Sequence, residues 1–231
     1  MSRLFHWLKR AILAFLALLL LYQCWLFAWV LWWNWVNPDT TRFMNIRLDE
    51  LRVGDPQARL QKTWIGYERI SDHLKRAIIA AEDAKFVDHD GFDWDGIQHA
   101  IEKNQQKGRI VAGGSTISQQ LAKNLFLTPA KTSWRKAEEA IVTLMLESVW
   151  SKERIFEVYL NVIEWGNGVF GAEAAARHYY GISAAQLSSS QAARLAGMVP
   201  NPRFYDRNRN APGLARKTAI ILARMRSAEL P

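Results

Sequence analysis

The sequence predicts a mainly α protein carrying one N-terminal membrane-spanning helix. Three observations lead there. Residues 11 to 38 contain no Asp, Glu, Lys or Arg. From Ser71 onward, apolar residues recur at helical spacing between turn signals. No segment alternates as a strand does, apart from short pieces of 42–53. At 231 residues the chain has room for one sizeable core plus an anchor, and not for two large domains.

The anchor comes first. From Ala11 to Trp33 the chain is almost wholly apolar. As a helix this stretch is about 34 Å long, enough to cross a hydrocarbon core of about 30 Å. Trp25, Trp29, Trp32, Trp33 and Trp35 crowd its far end, where amphipathic rings sit at lipid headgroups. Arg3, Lys9 and Arg10 precede it and place the N-terminus in the cytoplasm. A cleaved signal peptide is the rival, but the segment is too long and lacks a small-x-small cleavage site before WVLWWNW. The expected organisation is a cytoplasmic tail over 1–10, an anchor over 11–36, a connector over 37–67 and one mainly α domain over 68–231.

Within the connector, DPQARLQKTWIGYERI carries scattered Gly and Pro and no helical stripe, which predicts extended structure. Ser71 caps the next helix, with Leu74, Ile78 and Ala81 on one side. Asp93 caps another that carries Ile97 and Ile101 and stops near Gly108. Ser133 opens a third, with Ala137, Ile141, Leu144, Met145 and Val149. Residues 152–162, 171–180, 186–198 and 212–228 complete the set. Breaks are expected at GNGVFG, GIS and PNPRFYDRNRNAP. The apolar pairs Phe126–Leu127 and Val169–Phe170 fit either contact with lipid or core packing.

Lys and Arg number 30 against 22 Asp and Glu, a net charge of +8. That balance suits an anionic partner, whether phosphate, nucleic acid or a membrane surface. Cys24 is the only cysteine, so an intrachain disulfide and a cysteine-rich zinc site are both excluded.

Against this basic background, AAEDAKFVDHDGFDW (80–94) stands out. Its acids Glu82, Asp83, Asp88, Asp90 and Asp93 and its His89 are interleaved with Phe86, Phe92 and Trp94, a mixture that suits neither a solvated face nor a core helix. Glu82 follows Ile78 and Ile79 by four and three positions, so it projects from an apolar face near a helix end. Desolvation there raises a carboxyl's pKa and its basicity, as a general base requires. The plainer readings are a solvated helix-end carboxylate or a partner for Lys85. A calcium loop fits poorly: Asp93, Asp95, Gly96 and Glu102 fall at positions 3, 5, 6 and 12, but position 1 is Gly91, which offers no ligand.

The second signal is GGSTISQQLAKN (113–124). Gly113 and Gly114 let the backbone approach a ligand, and Thr116 with Gln119 fits a capping box. The N–H groups at such a helix start bind phosphate, although an ordinary capped turn fits equally well, and no Walker pattern is present. Lys123 lies two turns beyond Thr116 on the same face, and Lys131, Arg135 and Lys136 follow. Glu139 stands four after Arg135, the spacing of a helical ion pair. Together these bases suit a pyrophosphate leaving group.

Five ordered segments, EDAKFVDHDG, GGSTISQQLAKN, RKAEE, KERIFEVYLN and RLAGMVPNP, resemble the motifs of the peptidoglycan glycosyltransferases, glycosyltransferase family 51. The resemblance spans about Glu68 to Pro212. It implies a lysozyme-like fold with a small membrane-associated lobe and growth of glycan strands from lipid II. Carried over by motif position, Glu82 is the general base and Glu139 the second carboxylate. Ser115, Thr116, Gln119, Gln120, Lys123, Arg135 and Lys136 line the donor side, with Gly114 and Asn124 in the same motif. Asp83, Phe86, His89 and Gly91 shape the first motif, while Glu157, Tyr159 and Asn161 belong to a structural fourth. Lys131 replaces the Arg common in relatives, keeping charge but not a bidentate phosphate contact. Ser118 stands where Thr is commoner.

The resemblance implies no required cofactor, with Mg or Mn assisting at the pyrophosphate and no dedicated protein cage. The implied partners are lipid II, the nascent glycan, inner-membrane lipid and other cell-wall synthesis or division proteins, and no nucleic acid. The implied location is the bacterial inner membrane with a periplasmic catalytic domain. Ser133 to Lys136 formally reads SxxK, but no KTG set follows, so a transpeptidase is not expected. A glycan hydrolase and a non-enzymatic lipid II-binding scaffold are the rival functions.

Overall fold

Helix α1 runs over Ser2–Trp35 in the computed structural model, which describes residues 2–109, 113–130 and 132–231. Residues 4–35 are long and apolar enough to cross a membrane. The chain divides after Pro38 into this helix and a second unit that begins at Asp39.

The second unit opens with a correction. The part of the connector whose short pieces alternate as a strand does, 42–53, is instead helix α2, Arg42–Gly54. Thr41 caps it by accepting the Met44 N–H, and Met44, Leu48 and Leu51 supply the apolar stripe that the scattered charges around them obscure. α2 packs on α5 (Ile117–Phe126) and so brings Arg47 toward the functional residues. Strand β1, Gln61–Lys62, is the extended part that remains.

The next elements start where side-chain caps put them. Ser71 caps α3 (Asp72–Glu82) and Asp93 caps α4 (Trp94–Lys107), which ends on the left-handed Gly108. α5 opens with a complete Thr116/Gln119 capping box. α6 (Ser133–Val149) is capped by Thr132, one position earlier than expected, because the Thr132 hydroxyl accepts the Arg135 N–H. α7 (Lys152–Val162) follows the Ser151 cap.

GNGVFG is a hairpin and not a plain break. β2 (Glu164–Gly166) pairs antiparallel with β3 (Val169–Phe170), and β3 pairs in parallel with β1, giving the order β1-β3-β2. Val169 and Phe170 are fully buried and Leu127 nearly so, which settles those residues in the core and removes the lipid-contact option for them. After α8 (Ala172–Tyr180), a 3-10 turn at Ala184–Gln186 precedes α9 (Ser189–Met198), so the expected 186–198 helix starts later, at its Ser188 cap. PNPRFYDRNRNAP holds the short helix α10 (Pro202–Arg207), which the prolines suggested was a break. Pro202 stands at a helix N-terminus, where its missing N–H costs nothing. α11 (Pro212–Arg224) ends in a 3-10 turn, Met225–Ser227.

α3 packs against α9 and α11, and α5 against α6 and α7. Ile78, Ile79, Ile117, Leu121, Phe156, Tyr159 and Trp165 are essentially without exposure at the centre. The C-terminus of α3, where Glu82 sits, and the length of α5 therefore rest on a rigid core.

Candidate active site

The Glu82 side chain ends α3 and is only partly exposed. Gln120 Nε2 donates to its Oε2 at 2.9 Å. The Gln120 carbonyl oxygen in turn accepts the hydroxyl of fully buried Tyr159 at 3.0 Å, which fixes the amide with its N–H toward the carboxylate. Burial raises the Glu82 pKa; Gln120, Lys217 and Lys123 pull it down, and Asp83 adds to the rise. The balance is a carboxyl more basic than usual, which is the property of a general base.

Asp83 has a different task. Its Oδ2 accepts the Ile117 N–H at 2.9 Å, and His89 Nε2 lies 3.0 Å from Oδ1. His89 Nδ1 accepts the Gly91 N–H, so the ring's proton sits on Nε2 and is donated to Asp83. Thr116 donates its hydroxyl to the Gly91 carbonyl at 2.7 Å. Asp83, His89 and Gly91 thus tie the acidic loop to the start of α5. Gly91 has φ +89°, and a Cβ there would lie 2.7 Å from Thr143 Cγ2. Phe86 is wholly buried against Phe156, with the Lys152 ammonium over its ring. It forms the floor behind the loop and offers a ligand no surface.

Of the two readings of the α5 start, this arrangement favours the capped turn over the anion site. The Thr116 N–H goes to Gln119 Oε1, the Ile117 N–H to Asp83 and the Gln119 N–H back to Thr116. A carboxylate of the protein already occupies the end of the dipole where a phosphate was expected. Gly114 serves packing, since a Cβ there would lie 3.1 Å from the Ile97 Cα of α4, whereas a Cβ at Gly113 would meet none of the described residues within 4 Å.

The cations of the region are side chains on α5 and α6. Lys123, half-buried, has no ion-pair partner among the described residues; burial lowers its pKa, Arg135 and Lys136 add to the fall, and Glu139 and Glu82 oppose it. Arg135 and Lys136 both close on Glu139, which is 3% exposed, and Lys136 also donates to Ser115 Oγ at 3.3 Å. Glu139 is therefore the anchor of two cations. Arg135 Nε remains buried with no hydrogen-bond partner among the described residues. Lys131 lies outside the described residues.

Two cavities meet this machinery. One of about 180 Å³ is lined by Glu82, Asp83, Gly114, Ser115 and Thr116. The other, about 240 Å³, is lined by Gln120, Lys123 and Asn124 together with Arg47, Glu164 and Arg203. Larger grooves of about 590 and 740 Å³ lie elsewhere and hold neither Glu82 nor the α6 bases. The acids that suggested a calcium loop are dispersed: Asp93 caps α4 and Asp95 pairs with Lys85 at 3.0 Å. Asn161, from the fourth motif, holds the backbone of Ile65 through both its amide atoms. The Tyr159 link to Glu82 was not legible in the spacing of KERIFEVYLN, because it runs through Gln120 of another helix.

A basic, shielded carboxyl on α3 thus lies near a half-buried lysine and a carboxylate-anchored pair of cations, an arrangement suited to group transfer. Residues 49–226 match the family model described as transglycosylase. The chain is 73% identical over 231 residues to the biosynthetic peptidoglycan transglycosylase of Dechloromonas aromatica (strain RCB), covering all of both chains. It is 63% identical over 226 residues to the protein of the same name from Nitrosospira multiformis, covering 98% of each, and 62% identical over 231 residues to that of Azoarcus sp. (strain BH72), again over both full lengths. The chain belongs to the transglycosylase family.

Proposed function

We propose that this membrane-anchored enzyme polymerises lipid II into β-1,4-linked glycan strands for the cell wall, releasing undecaprenyl pyrophosphate. Glu82 takes the proton from the 4-hydroxyl of the incoming lipid II sugar. That oxygen forms a bond to C1 of the growing strand, and the C1–oxygen bond to the pyrophosphate breaks with its electron pair leaving on the phosphate. Attack opposite the leaving group inverts the anomeric centre. Lys123, with Arg135 and Lys136 held by Glu139, steadies the departing charge.

The observation that carries this reading is Glu82, shielded from water and oriented by Gln120, near enough to the Lys123 ammonium to feel its charge, while Lys123 has no ion-pair partner among the described residues. A glycan hydrolase has need of the carboxyl but not of the cations. Both oxygens of Glu139 already carry Arg135 and Lys136, so this carboxylate does not suit a metal ligand set. A divalent cation that assists is carried by the pyrophosphate itself.

Arg3, Lys9 and Arg10 before the apolar helix favour an N-terminus in the cytoplasm and a catalytic unit in the periplasm at the inner membrane. There it works among other cell-wall synthesis or division proteins. A tethered enzyme meets its polyprenyl-linked substrate in two dimensions, at high effective concentration. The test is polymerisation of lipid II by the detergent-solubilised full chain. Longer glycan and free undecaprenyl pyrophosphate are expected from the wild type, with loss by orders of magnitude in Glu82→Gln. Shortened glycan, or turnover unchanged in the variant, overturns the reading.

A further inference from the structure

The groove of about 740 Å³ lies on the outer side of α3 and α11 and holds none of the reacting groups. Its floor is a stripe of α11. Ala219, Leu222 and Ala223 recur at i, i+3 and i+4 and are exposed, while Leu214 and Ile221 of the same helix are buried. Asp72, His73 and Arg76 form the wall from α3, whose other end carries Glu82. At 1.5 Å rise per residue, that wall stands about 9 to 15 Å from Glu82 along the helix axis.

The charges of the groove are lopsided. Asp72 is its one carboxylate among the described residues, and Lys75 holds it at 2.7 Å. Arg76 donates to the backbone carbonyl of Ala228, a neutral acceptor. Arg226 is exposed on the opposite side and makes no ion pair among the described residues. Two arginines therefore flank an apolar floor with no carboxylate to balance them. The rest of α11 and the turn after it, Pro212–Ser227, add Arg216, Lys217 and Arg224 and no Asp or Glu.

Shape and charge together select the occupant. A bilayer surface is flat and meets the rim of a groove, not its floor. An amphipathic helix lays its apolar face into a groove, and the short side chains of Ala219 and Ala223 let its backbone come close. Acidic residues beside that face meet Arg76 and Arg226. We infer that this groove docks an acidic amphipathic helix of a partner protein, on a face separate from the catalytic one. The inference concerns assembly and holds whatever the reaction at Glu82.

The experiment places a photoactivatable benzoylphenylalanine at Leu222 of the full-length protein, irradiates growing cells and maps the adducts by mass spectrometry. The expected adduct joins one other protein, through a segment with apolar residues at helical spacing flanked by Asp or Glu. Arg226→Glu sets like charges against each other and is expected to lower the adduct yield about tenfold, whereas Arg226→Lys keeps it. Ala219→Glu puts a carboxylate on the floor itself and is expected to give the same loss by a second route. A labelled synthetic peptide of the mapped segment is expected to bind the purified full chain in detergent and to lose about tenfold in affinity to Arg226→Glu. Adducts to lipid alone, to a second copy of this chain or to a segment without acids overturn the inference. So do the absence of any adduct and a yield that both charge variants leave unchanged.

Discussion

Gln120 donates its side-chain N–H to Glu82 across 2.9 Å, from a helix whose Ile117 N–H is held by Asp83, the residue after Glu82. The base and the helix that orients it are thus fixed to each other twice. Tyr159 reinforces the orientation: its hydroxyl donates to the Gln120 amide oxygen and so holds the N–H side toward the carboxylate. Tyr159→Phe removes the hydroxyl and keeps the buried ring. It is expected to lower kcat about tenfold with little change in KM and to cost roughly 1 kcal/mol in stability. Gln120→Leu is expected to lose more activity, since Glu82 then has no donor. Steady-state kinetics and thermal unfolding of both variants in detergent check this.

Asp83 stands next to the base in sequence, but its hydrogen bonds are architectural. Asp83→Ala leaves the Ile117 N–H and the His89 Nε2–H without their acceptor. Each buried unpaired donor costs about 1–3 kcal/mol, so a loss of roughly 3 kcal/mol is expected. Activity is expected to fall together with folded fraction, and lowering the temperature is expected to recover part of it. Glu82→Gln differs on that point: its activity is lost while the fold stays intact. Circular dichroism melts alongside turnover at two temperatures separate the two cases.

The helices of the catalytic unit were legible because their caps are local: Ser71, Asp93 and the Thr116/Gln119 box each act within a few residues. Helix α2 escaped because its apolar stripe is thin and charges interrupt it, and its packing partner α5 lies some 70 residues further on. Pro202 misled as a break because proline has the same look at a helix start as at a helix end. At the site, Glu82 and the cations Lys123, Arg135 and Lys136 could be named from residue type and spacing. The occupation of the α5 start by Asp83 could not, since spacing tells which N–H groups a helix leaves free but not which distant carboxylate takes them.

Glu139 is expected to act through the cations it holds. Glu139→Gln leaves Arg135 and Lys136 free to turn toward solvent, so kcat/KM is expected to fall about a hundredfold and to become more sensitive to salt. Its pH–rate profile keeps the acid limb of the wild type, because Glu82 is untouched. Lys123→Met is expected to lose at least as much, since it removes an ammonium that acts on Glu82 and sits between Glu82 and the Glu139-held pair. Both profiles, taken at low and high ionic strength, check the assignment. An acid limb that vanishes in Glu139→Gln would make Glu139 the base.

Glu82 itself links activity and stability to pH with opposite signs. Its folded pKa lies above the ordinary carboxyl value because burial penalises the charge. The native state therefore holds this proton at pH values where the unfolded chain has released it. As pH falls through the raised pKa toward the unfolded value, this group adds stability; as pH rises through the raised pKa, that contribution is lost. Activity runs the other way, since only the ionised form accepts a proton, so kcat/KM falls as pH drops through the same raised pKa. Glu82→Gln removes the buried charge altogether. Its expected signature is a melting temperature at pH 7 equal to or above that of the wild type, with the gap closing as pH is lowered toward 4.5, while polymerisation stays absent at every pH. A variant less stable than the wild type at pH 7 would show that Gln120 and Lys123 already compensate the carboxylate in full.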